Sequence, residues 1–330
     1  MVPILLLIYK RYDLVIQVIN KVREYSPQRI YISADGPKNN DDILKCKQTR
    51  ELLLANIDWQ CEIYTLFRDE NLGCGNAVSS GINWFFEHEE EGIILEEDCL
   101  PSLDFFSYSE KMLETYRDDI RIMHISGCNF LGELNKKDVY FFSKKISIWG
   151  WATWRRAWQM YDYDLELLSE ENFNNYLIPF MSNDYNQLFY WKKIFELLKE
   201  KKIDTWDYQW QFTIWLKNGT CVYPSKNLVK NIGFHQNALH TRDLNSPLSN
   251  LEVYNFTLKK INRKKKIKIN KLFDDFIFYY IHNEKYYVKF NSISKFIVKI
   301  EPSILHKIFD NRFTFRDKLF LIRKYILDKF

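Results

Sequence analysis

The sequence predicts an α/β fold in which a mostly parallel sheet is flanked by helices. Short apolar runs alternate with longer segments of helical periodicity, four such units follow one another in order, and polar residues gather where each apolar run ends. The first run, Pro3 to Tyr9, is the length of a buried strand. No basic residue precedes it and Lys10 and Arg11 follow at once, which argues against a secretion signal. Leu14, Val15, Val18, Ile19 and Val22 then recur at helical spacing. Arg29 to Ser33 reads as a second strand ending in the loop signal Ala34-Asp35-Gly36-Pro37, and Asp41 to Ile57 as a second helix carrying Leu44, Leu52, Leu53 and Leu54. Cys61 to Phe67 is the third strand. Asn76 to Phe86 is the third helix, with Val78, Ile82, Phe85 and Phe86 inward, and Gly92 to Leu95 is the fourth strand. Ser102 is placed to cap a further helix.

Composition removes several classes. The 330 residues are 46% hydrophobic, 27% charged and 17% aromatic, with only 10 Gly and 8 Pro, so disordered, collagenous and low-complexity chains are excluded. No apolar run approaches the roughly 20 residues of a membrane-spanning helix. The cysteines Cys46, Cys61, Cys74, Cys99, Cys128 and Cys221 lie far apart without a CxxC pair, which argues against a zinc module or disulfide scaffold and leads us to expect reduced thiols in a cytoplasmic protein. From Asn255 onward Lys and Arg number 19 against 7 acidic residues, while the preceding part has 28 against 36. This basic, aromatic-rich stretch, centred on Lys259, Lys260, Arg263, Lys264, Lys265, Lys266 and Lys268, suits an anionic membrane surface. An ordinary solvated helical face over a small aromatic core accounts for it equally well. The expected division is a domain over 1–250 and a mainly helical extension over 251–330.

In open sheets of this kind ligands bind beyond the carboxyl ends of the strands. The polar residues there are Lys10 and Arg11, Asp35, Arg68, and the acidic triplet Glu96-Glu97-Asp98. Three carboxylates directly after Ile93-Ile94-Leu95 suit a hard divalent cation, Mg²⁺ or Mn²⁺, whose shell a diphosphate completes. Away from a strand end such a run is more simply a solvated face.

The stretch from Ile93 to Phe106, with its acidic triplet and the Asp104-Phe105-Phe106 that follows, resembles the metal-binding segment of GT-A-fold glycosyltransferases. The likeness is to the N-acetylglucosaminyltransferase I type and to bacterial enzymes of surface-polysaccharide synthesis, and it runs over residues 1 to about 245. It implies that Asp98 coordinates a divalent metal on the diphosphate of a nucleotide sugar, with Glu96 and Glu97 near the sugar and ribose. By the same resemblance Arg11 and Asp35 contact the nucleotide, and Asn71-Leu72-Gly73-Cys74-Gly75-Asn76 lies near the donor.

Trp149-Gly150-Trp151 resembles a segment lining the sugar site, with Gly150 and Trp151 as the contacts. Some of Trp149, Trp151, Trp154 and Trp158 must also belong to the core. Thr205-Trp206-Asp207 resembles the segment that supplies the catalytic base of inverting relatives, making Asp207 the candidate base; its simpler reading is a helix cap. His240 matches a late metal or diphosphate ligand, whereas His235 departs from the family pattern and receives no role.

The activity implied is transfer of a hexosyl or N-acetylhexosaminyl group from a nucleotide sugar, a UDP-sugar by expectation, to a glycan or lipid-linked acceptor in capsule or lipopolysaccharide synthesis. The enzyme would work in the cytoplasm or peripherally on the inner membrane face. A non-catalytic carbohydrate- or membrane-binding protein on the same fold is the alternative. Nucleic acid is not an expected partner, because the body carries no recognition motif for it. A sugar nucleotidyltransferase would need a Gly-rich basic signature after the first strand, and that is absent.

Overall fold

The computed structural model describes residues 1–132, 139–177, 180, 184–234, 248–249, 251–254, 263 and 266–282. Its first half follows the expected alternation: β1 (Ile4–Ile8), α1 (Tyr12–Tyr25), β2 (Arg29–Ala34), α2 (Asn40–Ala55), β3 (Glu62–Phe67), α3 (Gly73–His88) and β4 (Glu91–Glu96). There follow β5 (Cys99–Pro101), α4 (Leu103–Tyr116), β6 (Ile122–Ser126), β7 (Tyr140–Ser143), β8 (Trp151–Trp154) and the short α5 (Arg155–Trp158) and α6 (Glu170–Asn172). A π-helical turn (Phe173–Leu177) leads to α7 (Tyr185–Lys199), α8 (Asp207–Leu216), β9 (Thr220–Pro224), β10 (Val229–Asn231) and α9 (Lys271–His282).

Eight strands form one sheet in the order β3-β2-β1-β4-β8-β6-β9-β7, in which only β8 and β7 oppose the other six. The chain steps outward from β1 to β3 and then returns through α3 to place β4 on the other side of β1. With right-handed crossovers, α1 and α2 cover one face and α3 the other. The strand order therefore reverses between β1 and β4, and the crevice beyond their carboxyl ends is where such sheets bind ligands. A two-stranded sheet pairs β5 with β10, Asn231 opposite Cys99, and hangs the chain after β10 over that crevice.

β1 is buried along its whole length, as expected of a central strand covered on both faces. α1 buries Leu14, Val15, Val18, Ile19 and Val22 and ends where Ser26 turns left-handed. Of the leucines singled out in α2 only Leu53 is buried; Leu44, Leu52 and Leu54 face solvent. Ser102 precedes α4 but makes no capping bond, and its hydroxyl is buried without a partner.

A second apolar cluster joins Leu165, Phe173, Trp191, Phe195, Phe212, Trp215 and Phe278. α8 lies between the two, giving Trp210 and Ile214 to the main core and Phe212 and Trp215 to the second. Burial all round explains why its sequence lacks one apolar stripe. The described part of the expected extension belongs to this body. Leu251, Phe273 and Ile277 pack in the main core, and Asp274 accepts from Ser143 Oγ at 2.5 Å and Lys144 N at 3.0 Å. Arg263 reaches Asp119 at 3.1 Å, while Lys266 and Lys268 are exposed.

His124 is fully buried between Trp151, which stacks on it at 5.0 Å, and the carbonyl of Ser147. Trp210 Nε1–H donates to its Nδ1 at 3.3 Å, so the ring proton belongs on Nε2, which donates to Ser147 O at 3.0 Å. Burial pushes its pKa down to about 3. Because the unfolded imidazole, at about 6.5, takes a proton first, acid favours unfolding between these two values. The unfolding free energy of the parent should therefore fall more steeply than that of His124→Gln as pH drops from 6.5 to 4.5, by up to about 1.4 kcal/mol per pH unit. Urea titrations at several pH values measure the two slopes.

Candidate active site

At the reversal point β1 ends in Tyr9-Lys10-Arg11 and β4 in Glu96-Glu97-Asp98. Arg11 joins them: Nε donates to Glu97 Oε1 at 2.5 Å and Nη2 to Asp98 Oδ2 at 2.9 Å. Burial works against its charge, but the two carboxylates more than offset that and hold the guanidinium protonated. Glu97 also accepts the Tyr9 amide at 2.7 Å and its own amide donates to Leu7 O at 3.0 Å, so this carboxylate ties β1 to β4. Arg11 holds the position before α1 but does not cap it, since a guanidinium has no acceptor for the helix amides; its side chain reaches across the crevice instead.

Glu96 differs from its neighbours. No hydrogen bond reaches its carboxylate among the described residues, and burial, with Asp98 and Asp207 acting next, pushes its pKa up to about 8. Asp207, the first residue of α8, is thus within electrostatic reach of the triplet although it is far away in sequence. Its Oδ1 accepts from Thr205 Oγ1 at 2.5 Å and from the Tyr208 amide at 2.9 Å. No bond reaches Oδ2 among the described residues. Asp207 does not occupy the cap position of α8, which Trp206 holds. The thiol of Cys74 lies in the same space, its pKa raised by burial and then by Glu96, Asp207, Asp204 and Asp35.

The other expected contacts are placed differently. Asp35 is buried and occupied: Oδ1 accepts the Gly36 and Leu72 amides, both at 2.9 Å, and Oδ2 accepts Asn71 Nδ2 at 2.8 Å. Asp35 and Asn71 thereby fold the loop after β3 onto the end of β2. Arg68 donates to Ser33 Oγ at 3.0 Å and Ser80 Oγ at 2.7 Å, and burial lowers its pKa. The glycine pair expected as a loop forms the first turn of α3, and the Cys74 and Gly75 amides there are taken by the Asp204 carboxylate, not left free for a phosphate.

Trp151 is fully buried, stacked between His124 and Trp206, and its indole N–H has no partner among the described residues. Contrary to the reading of Trp151 as a sugar-facing wall, it braces Trp206 and so the start of α8. Gly150, at φ +64°, packs on Val229 beneath it, again as part of the core. The half-exposed ring of this segment is Trp149, which meets Phe234 edge-on at 5.8 Å. His240 lies outside the described residues, and so does His235.

Asp204 escaped the sequence reading, while Cys74 and Gly233 stood in segments that resemble the family but received no role of their own. Cys74 and Asp204 have no chemical motif of their own. Gly233, in Asn231-Ile232-Gly233, packs so closely on Asp98 and Arg11 that a β-carbon there would overlap Asp98 Oδ2. The Ile232 amide donates to Asp98 O at 2.8 Å, seating that loop over the triplet. An unexplained glycine beside a strand end was one signal for it.

For a divalent cation, the chemistry of the donors fits in one respect. Among the described residues Glu96 is unbonded and Asp98 Oδ1 has only the weak Cys99 thiol at 3.6 Å, so hard oxygen donors are present. Among the described residues, however, no three of His, Cys, Asp and Glu form a metal-holding group. Such a set fits an ion that arrives with an anionic ligand and does not form a closed protein cage.

No family model matches the sequence, and no curated protein matches it. Among solved structures, HddC from Yersinia pseudotuberculosis aligns at 12% identity over 47% of this chain and 78% of that one, with a TM-score of 0.30. Mannosyltransferase PcManGT from Pyrobaculum calidifontis, in complex with GDP-Man and Mn²⁺, aligns at 14% identity over 51% of this chain and 46% of its own, TM-score 0.32. The galactosyltransferase LgtC, in complex with donor and acceptor sugar analogs, aligns at 10% identity over 76% and 84%, TM-score 0.37.

The joint made by Glu97 has a measurable consequence. Glu97→Ala leaves Arg11 with Asp98 alone and the Tyr9 amide unpaired, which should lower unfolding free energy by about 2 to 3 kcal/mol in urea titrations.

Proposed function

We propose that the chain is a metal-dependent glycosyltransferase of the GT-A type, which moves a sugar from a nucleotide diphosphate donor to a glycan or lipid-linked acceptor with inversion. The observation that carries this reading is that Asp207 lies within electrostatic reach of Glu96, beside Asp98 and Arg11 at the point where the sheet order reverses, and that among the described residues no hydrogen bond reaches the Glu96 carboxylate or Oδ2 of Asp207. Arg11 supplies a fixed positive charge for the diphosphate at the end of β1. Asp98 and Glu96 would hold Mn²⁺ or Mg²⁺ together with that diphosphate, and the ion would supply Lewis-acid neutralisation of the leaving charge.

Asp207 accepts the acceptor hydroxyl's proton at Oδ2 while Thr205 and the Tyr208 amide keep Oδ1 fixed. The acceptor oxygen then bonds to the anomeric carbon as the bond from that carbon to the phosphate oxygen breaks, and the nucleoside diphosphate departs with its electron pair. A single displacement of this kind inverts the anomeric centre. UDP-hexose or UDP-N-acetylhexosamine is the donor proposed, and bacterial surface-polysaccharide assembly the setting. The exposed Lys266 and Lys268, with the neighbouring basic residues of the sequence, support a peripheral hold on an anionic inner-membrane face, each contributing on the order of 1 kcal/mol.

Two measurements test the chemistry. Asp207→Asn should lower kcat about 10²- to 10⁴-fold with little change in KM, assayed by release of nucleoside diphosphate; full turnover would remove Asp207 from the role of base. Mn²⁺ should raise the melting temperature strongly only when UDP or a UDP-sugar is also present, and Asp98→Asn should abolish that joint effect. For the membrane, replacement of Lys264, Lys265, Lys266 and Lys268 by Gln should weaken sedimentation with anionic vesicles about 10-fold or more at low salt. Equal binding by both forms would remove this stretch from membrane attachment.

A further inference from the structure

The segment that delivers Asp207 is fastened to the body at a point outside the catalytic cluster. Asp204 Oδ2 accepts the Cys74 amide at 2.8 Å and Oδ1 accepts the Gly75 amide at 2.7 Å. Both amides belong to the first turn of α3, whose own cap position is Leu72 and offers no side-chain acceptor. A carboxylate arriving from a distant part of the chain satisfies those donors and sits at the positive end of the helix.

The sequence has been cleared of side chains to let it in. A β-carbon at Gly73, where φ is +79°, would lie 2.6 Å from Asp204 Oδ2. At Gly75 it would lie 2.5 Å from Tyr163 Oη and 2.7 Å from Thr205 O. The next residues carry the constraint onward: Tyr161 Oη donates to Trp206 O at 3.0 Å, Trp151 stacks on Trp206 at 5.6 Å, and Thr205 Oγ1 donates to Asp207 Oδ1 at 2.5 Å. α3 is in turn anchored on β1 and β2 through the buried Ile82 and Phe85.

We propose that Asp204 is a positioning residue for Asp207: by clamping the start of α3 it fixes the Thr205-Trp206-Asp207 corner against the strand ends, and so sets where the Asp207 carboxylate stands relative to Glu96. The catalytic consequence rests on the reading of Asp207 as base. A residue that only stabilised α3 would affect melting temperature and leave Asp207 as it was. The Gly-x-Gly pair, on this account, is the receptor for an internal carboxylate and not for a ligand phosphate.

The experiment follows the Asp207 carboxyl directly, in protein labelled with ¹³C at aspartate side chains, the signal being assigned from Asp207→Asn. In Asp204→Ala the chemical shift of the Asp207 carboxyl should move. In parallel kcat for sugar transfer should fall about 10- to 100-fold while affinity for UDP with Mn²⁺ stays within about two-fold. Asp204→Asn keeps one acceptor oxygen and sets an amide N–H against the other backbone donor, so it should give effects smaller than those of Ala but in the same direction. An unmoved Asp207 signal in Asp204→Ala overturns the proposal. If the parent turns over no sugar nucleotide, the glycosyltransferase reading fails, while the Asp207 signal still decides whether Asp204 places it. Should Asp204→Ala not fold, Gly75→Ala, which keeps the carboxylate and pushes on Thr205 O, is expected to give the same displacement.

Discussion

The pairing of one guanidinium with two carboxylates across the β1–β4 crevice is the interaction on which the rest of the site depends. Glu96, Glu97 and Asp98 follow one another at the end of a buried strand, where like charges repel and water is scarce. The single charge of Arg11 is shared by direct contact between Glu97 and Asp98 and acts on Glu96 only through space. The fold thus keeps an excess of negative charge where a parallel sheet leaves a crevice, an arrangement that calls for added cationic charge or for protonation.

Asp207 sharpens that imbalance, and its position is bought by packing. α8 is buried on nearly every side because it wedges between two cores, and its first residue emerges within electrostatic reach of the triplet. The tryptophans that look in sequence like a sugar platform serve this wedge: Trp151 and Trp206 stack, Trp158 and Tyr161 stack at 4.2 Å, and Trp210 closes the group against His124. Their aromatic area is spent on holding the end of α8, while the half-exposed Trp149 stays beside the loop of Gly233.

The later chain shows the same economy. Asp274, at the start of α9, is buried and bonded to Ser143 and Lys144, and burial raises its pKa to about 6. Lys145, also buried, lies 4.6 Å over Trp215 and 5.1 Å over Trp191. These contacts stitch α9 to β7 and to the second core, so the body continues through α9 and the exposed Lys266 and Lys268, which precede α9, are part of that body's surface.

The order of strands and helices through β4, and the polar groups at strand ends, were legible in the sequence because periodicity and local apolar runs depend only on near neighbours. So were the candidates Arg11, Asp98 and Asp207 as residue types at element ends. What the tertiary structure decided was their company. That Arg11 grips Glu97 and Asp98, that Asp35 and Asn71 are spent on their own loop, and that Trp151 is core all follow from contacts between segments tens of residues apart. The capture of Gly73 and Gly75 by Asp204 is the clearest case: the spacing of glycines shows that something must come close, but whether a phosphate or a carboxylate fills that space is set by how α8 packs, which no local pattern encodes.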